Sequence, residues 1–474
     1  MLRKLIILKL LTFLITTVIF SQNIPDRISY PDTLWTNNDT FYVNGNLWDK
    51  EWALTTNKSD TVDLGTDGFE GMYVKVWTKE DTITIPYVNA PFEQWIFIPI
   101  ASINDTTIYR LRFNQQGSKF SESYVSKNRG NISFQIPEVY ELANIILYLS
   151  DCSVLTGNHS ENSEYAKSVI KQFGSFKSHP LIQILNRKSL NGNHWSTYYG
   201  FRENSICFKF EENNSLQYST PYKHVYNDNS EILGGEFRNL LYLVQDFVNQ
   251  TDFRTFYNKN SKYYSKLESR QKALLPITKM WKWLENEFTQ NFNSYKVIFS
   301  PLIEGSHSTQ QFYKGSYRYP AFRECIMFIN SPEKIDLNKE YSDRIKEGVM
   351  SGIVFTEIDH NYVNPTSADN IIAIRDLIKN KDLWATKNAQ ENYQSEYAIF
   401  NEYMTHSLFC LYVKENYKEE DSKVIINQRI KLMERRGFIK FEKFNDTIFQ
   451  ILKGRTKTVS EMYPSLIKIL QEIK

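Results

Sequence analysis

With 474 residues the chain has room for two or three domains, and its 30 Tyr, 31 Phe and 9 Trp can fill a large core without disulfides. A formal net charge of only +2 argues against a dedicated nucleic-acid or membrane-surface binder. The four cysteines, Cys152, Cys207, Cys325 and Cys410, are far apart, match no C-x-x-C metal spacing and mostly have apolar neighbours, so they read as single buried thiols.

The chain opens with Arg3 and Lys4, an apolar run over 5–20 and the small residue Ser21. A basic start, an apolar centre and a small residue at the end describe a secretory signal peptide, removed after about residue 21. The run is short for a membrane span, so no span is expected to remain, and the mature protein is placed in the periplasm or outside the cell. Residues 22–135 carry strand signals: the stretch 39–45 reads as a strand ending in the Asn44-Gly45 turn, and runs near 72–77, 82–87, 94–100 and 107–113 are short, partly alternating and separated by Asn, Asp or Gly. They predict a small antiparallel β domain without visible catalytic residues.

After Pro137 the apolar period changes from 2 to 3.6. Helices are predicted over 138–150, 160–173, 235–250 and 261–288, the last kinked or divided by Pro276, with a break at 174–180. Strand-like runs follow at 295–300 and 324–329. A central helix over 341–362 should end before Asn364-Pro365, and further helices are predicted near 368–379, 394–417, 421–436 and 459–473. The basic residues between Lys423 and Lys457 are most simply a solvated helical face. The fold class is therefore α+β: an N-terminal antiparallel β domain, then a mainly helical domain over 136–474.

Thr356-Glu357-Ile358-Asp359-His360 on the central helix differs by one residue from H-E-x-x-H. In that motif imidazoles at i and i+4 lie one above the other and grip one zinc ion, while the Glu acts as general base on the bound water. Here Thr356, a poor zinc ligand, holds the first position. Glu402, on a later helix with apolar neighbours, stands where one class of such sites takes its third ligand. His406, four residues on, shares its face, and His307 follows a strand that could line the cleft. Either is a candidate substitute ligand. His159, His179, His194 and His224 show no metal spacing.

Five segments, 137–146 (PEVYELANII), 173–180 (FGSFKSHP), 300–305 (SPLIEG), 357–365 (EIDHNYVNP) and 401–403 (NEY), recur in this order in a family of secreted bacterial proteins known as a domain of unknown function. That family is similar to gluzincin-type zinc metallopeptidases, and the resemblance covers roughly residues 135–420. It implies a zincin-like domain with His360 and Glu402 as zinc ligands and Glu357 as general base. The family's first His falls on Thr356. A complete four-ligand site contributes roughly 10–16 kcal/mol, so one ligand is worth about 3 kcal/mol, about a hundredfold in affinity. The resemblance thus implies weak zinc binding, a peptide or protein ligand and an inactive enzyme. The alternatives are an active peptidase completed by His406 or His307, and a structural cell-surface protein.

Overall fold

The computed structural model describes residues 118–473, apart from 119, 160–162, 223, 227–233 and 316–319, and before 118 only the backbone of strands. The predicted signal segment lies outside the described residues. Those early strands pair in two sheets. One contains Thr40–Val43, Asn46–Asp49, Tyr73–Trp77 and Thr82–Pro86, all antiparallel. The other centres on Gln94–Ala101 and Thr106–Asn114, which pair antiparallel. Here the expectation of a wholly antiparallel unit needs correction, because Arg27–Ser29, Leu34–Trp35 and Thr61–Asp63 join these two strands in parallel.

The remaining architecture is mixed, helices around one four-stranded sheet. Its strands are β1 (Ile132–Gln135), β2 (Ser294–Ser300), β3 (Ser308–Gly315) and β4 (Pro320–Asn330), in the order β1-β2-β4-β3. The pairs β1/β2 and β2/β4 are parallel, whereas β3 runs antiparallel along β4 and forms an edge. β1, read from sequence as the end of the N-terminal unit, therefore belongs to this sheet. Parallel strands covered on both faces should be apolar throughout. Accordingly Tyr295, Val297, Ile298 and Phe299 of β2 and Cys325, Ile326, Met327, Phe328 and Ile329 of β4 are all buried. The edge strand β3 escapes sequence recognition because its Ser-Thr-Gln-Gln start lacks the β-branched and aromatic signal.

Helices cover both faces. On one, α1 (Glu138–Leu149) sets Tyr140 against Phe328, ring centroids 5.5 Å apart, and α2 (His194–Asn204) brings Glu203 to Gln310 of β3 at 3.0 Å. The other face meets α3 (Asp343–Asp369): Tyr295 and Tyr362 share a 2.8 Å hydroxyl contact, and Asn361 reaches Gln311 and, at 3.2 Å, the Cys325 sulfur. α3 was expected to stop before Pro365 but continues through it. Proline there cannot donate to the preceding turn. Around it, side-chain hydroxyls donate to two neighbouring carbonyls, Thr366 to Tyr362 at 3.0 Å and Tyr397 to Asn364 at 2.6 Å. The predicted long helix before β2 is indeed divided at Pro276, into Ser261–Leu274 and Ile277–Glu287.

α4 (Glu396–Asn416) is buried on every side from Ile399 to Val413, an interior helix of the domain as α1 is. It packs along α3 through Phe355 against Phe409 and Tyr412, at 5.6 and 5.1 Å between ring centroids. α5 (Glu419–Arg435) closes over both. All four cysteines are free and buried. No helix among the described residues is long and apolar enough to cross a membrane.

Candidate functional site

The packing of α4 along α3 brings together residues more than 40 positions apart. His360 Nε2 lies 3.4 Å from Glu402 Oε1, and its Nδ1 faces the Asn364 side-chain oxygen one turn on at 3.3 Å. Burial works against the imidazolium, but the hydrogen bond and charge of Glu402, with help from Glu357, outweigh it and lift His360 to about 9. At neutral pH this is an ion pair. Burial alone would raise Glu402; the charge of Arg436 and the two neighbouring imidazoles instead hold it well below the usual carboxylate range.

The other carboxylate oxygen, Glu402 Oε2, is 3.3 Å from His406 Nε2 and accepts from Arg436 Nη2 at 2.7 Å. Arg436 Nη1 stands 2.8 Å from His406 Nε2, and Nη2 also donates to the Tyr393 hydroxyl. On the far side of the ring, Arg429 Nη1 approaches His406 Nδ1 at 3.1 Å. Burial, reinforced by the two guanidinium charges, keeps His406 neutral, with its pKa near 3. Arg429 is itself buried, stacked on Phe409 at 4.7 Å, and burial lowers it to about 10.

Thr356 is buried one turn before His360, but its hydroxyl is committed to its own helix, donating to the Ile353 and Gly352 carbonyls at 2.9 and 3.1 Å. Glu357 is half-buried beside the Glu402 cluster. Burial raises its pKa to about 7, with His360 opposing and Glu402 adding to the rise. An acid balanced near neutrality can hold or release a proton, which is the property a general base needs. Its charge is felt by Tyr199 of α2, whose hydroxyl contacts the His307 carbonyl at 3.4 Å where β3 begins.

His307 is not part of the cluster. It bonds Asn330, and burial together with nearby Arg202 lowers it to about 4. His179 is structural: it caps the Pro180–Lys188 helix through Leu181 and pairs with Asp246 at 3.1 Å.

The donors as arranged do not fit zinc. The Thr356 hydroxyl is spent, and both oxygens of Glu402 are engaged by cationic or imidazole partners. Among the described residues no group of three or more His, Cys, Asp or Glu is disposed to hold a metal ion. Arg429 and Arg436 were absorbed into a solvated basic face in the sequence reading. Their spacing of seven, two helical turns, was the available signal that they share one face. No family model, curated protein or solved structure matches the chain.

Proposed function

We propose that the chain is an exported relative of the gluzincin-type metallopeptidases that has lost hydrolysis and kept a peptide-binding cleft. The observation that carries this reading is the 3.4 Å contact of His360 with Glu402, since it joins the remnant of H-E-x-x-H to the acidic residue of the later helix. The edge strand β3 supports it. Among the described residues only β4 pairs with β3, and an unpaired edge can take an extended peptide by backbone hydrogen bonds. Glu357 keeps the position of the general base. Thr356 offers a neutral hydroxyl where an imidazole is required, so zinc binding is weak and water activation is poor. The early strands form a β-rich accessory unit. Export removes the first residues, and amino-terminal sequencing of the mature protein should read a start near residue 22; a start at Met1 removes this part of the proposal.

The test combines a fluorogenic peptide library with peptide-binding anisotropy and zinc titration. Wild type should bind peptides without cleaving them, and Thr356→His should raise zinc affinity by about a hundredfold. Zinc-dependent cleavage by wild type, abolished in Glu357→Gln, would establish a working peptidase whose ligand set includes His406 or His307. Binding of no peptide at all would leave a structural cell-surface role.

A further inference from the structure

We infer that Trp195, Tyr199 and Tyr226 form a stacking subsite for an aromatic side chain of a peptide laid along β3. Trp195 and Tyr199 stand four residues apart on α2 and so share one face. Their ring centroids are 5.9 Å apart and the ring planes differ by 21°. Tyr226 continues the stack at 5.6 Å from Tyr199, again at 21°. Its backbone is clamped to the end of α2 by Asn204, whose side chain accepts from the Tyr226 N–H at 3.0 Å and donates to its carbonyl at 2.9 Å. All three rings are only half-buried, whereas α2 is buried throughout from Gly200 to Asn204. Rings held in place yet only half-buried have contact surface left to give, and little freedom remains to be lost when a ligand meets them.

The stack stands at the head of β3. The Tyr199 hydroxyl donates to the His307 carbonyl at 3.4 Å, one residue before the strand begins. A peptide pairing with the β3 edge therefore passes the stack near Ser308. The short helix Asp151–Leu155 packs against α2 and against the turn that precedes it. Its Val154 and Leu155 are 60 and 43% exposed, and Leu190 of that turn is 67% exposed. Exposed aliphatic side chains beside stacked rings mark a surface for an apolar group. An aromatic group fits it better than a cation or a sugar. Ring faces attract cations, but at Tyr199 that place is taken by Arg202, 5.0 Å from the centroid and paired with Glu203 at 3.1 Å. A sugar ring would need polar partners around the stack, yet the Tyr199 hydroxyl is turned to His307 and the flanking side chains are aliphatic. A further ring extends an offset stack in the geometry that aromatic pairs prefer. The subsite rests on the peptide-binding role proposed above and adds the side chain it selects.

The experiment measures fluorescence anisotropy of labelled, uncharged peptides that differ at one central position, Phe, Leu or Ala, on wild type, W195A, W195L and W195F, with cellohexaose as a competitor. Wild type should bind the Phe peptide about fivefold more tightly than the Leu peptide, the gain of an aromatic pair beyond its burial. W195A and W195L should abolish that preference and leave affinity for the Ala peptide unchanged, and W195F should keep it. If W195A does not fold, W195L, which retains apolar bulk, decides. A preference that survives in W195L, or an equal loss for all the peptides, overturns the subsite and leaves peptide binding standing. Displacement of peptide by cellohexaose that is lost in W195A overturns it in favour of a sugar platform. Binding of no peptide by wild type overturns the peptide-binding role itself, and the subsite with it.

Discussion

Glu141 illustrates how a single side chain sets a pH response. It is wholly buried on α1, accepts from the Tyr165 hydroxyl at 2.7 Å through one oxygen, and has no hydrogen-bond partner for the other among the described residues. Burial raises its pKa from 4.5 to about 7, against the hydrogen bond of Tyr165. A carboxyl with a raised folded pKa contributes stability that is fully present below its unfolded pKa and lost as pH rises through the folded value. Relative to Glu141→Gln, wild type should therefore lose about 3 kcal/mol between pH 4.5 and pH 8. Urea unfolding of both proteins across this range measures it; parallel pH profiles would show that Glu141 stays charged in the fold. Sequence could not reveal this, because PEVYELANII gives a helical period but not which apolar surface encloses the glutamate. For His360 the resemblance already names Glu402 beside it, and the packing of α4 along α3 makes that neighbour a direct 3.4 Å contact.

At the scale of elements, the contact between α3 and α5 depends on one missing side chain. A Cβ at Gly352 would lie 1.8 Å from Arg429 Nη2 and 2.9 Å from the Phe409 ring. Alanine in a helix ordinarily gains up to about 1 kcal/mol over glycine. Here the overpacking cost of about 1–3 kcal/mol should win, with Arg429 displaced from its stack on Phe409. Gly352→Ala should thus lower the urea midpoint, and a rise in the midpoint would mean that Arg429 moves aside at no cost. Helix and strand periods placed α1, α4, β2 and β4 within a few residues of their observed positions, because their burial is local and repetitive. The continuation of α3 through Pro365 was not legible, since a proline ordinarily marks a helix boundary and only the packing around α3 shows that the helix runs on.

At the scale of the whole molecule, the sheet and its helices enclose every cysteine. Burial pushes Cys152 to about 11 and Cys325 and Cys410 to about 12, so few thiolates exist at neutral pH to react. The folded protein should leave all four thiols unreactive toward a disulfide reagent, and guanidinium should release four. Fewer than four released on unfolding would reveal a disulfide, and rapid reaction before unfolding would mean that the helical layers open.

The sequence by itself determined the α+β class, the division at Pro276 and the common face of Thr356, Glu357 and His360. These follow from local period, proline chemistry and i, i+4 spacing, which are properties of one segment at a time. Tertiary structure alone decided that β3 forms the sheet edge, that His307 stays apart from Glu402, and that Arg436 supplies the positive charge there. Those outcomes depend on which helix faces lie against one another. A buried carboxylate selects its cation from whatever the packing brings within hydrogen-bond reach, and no spacing rule within a single segment encodes that choice.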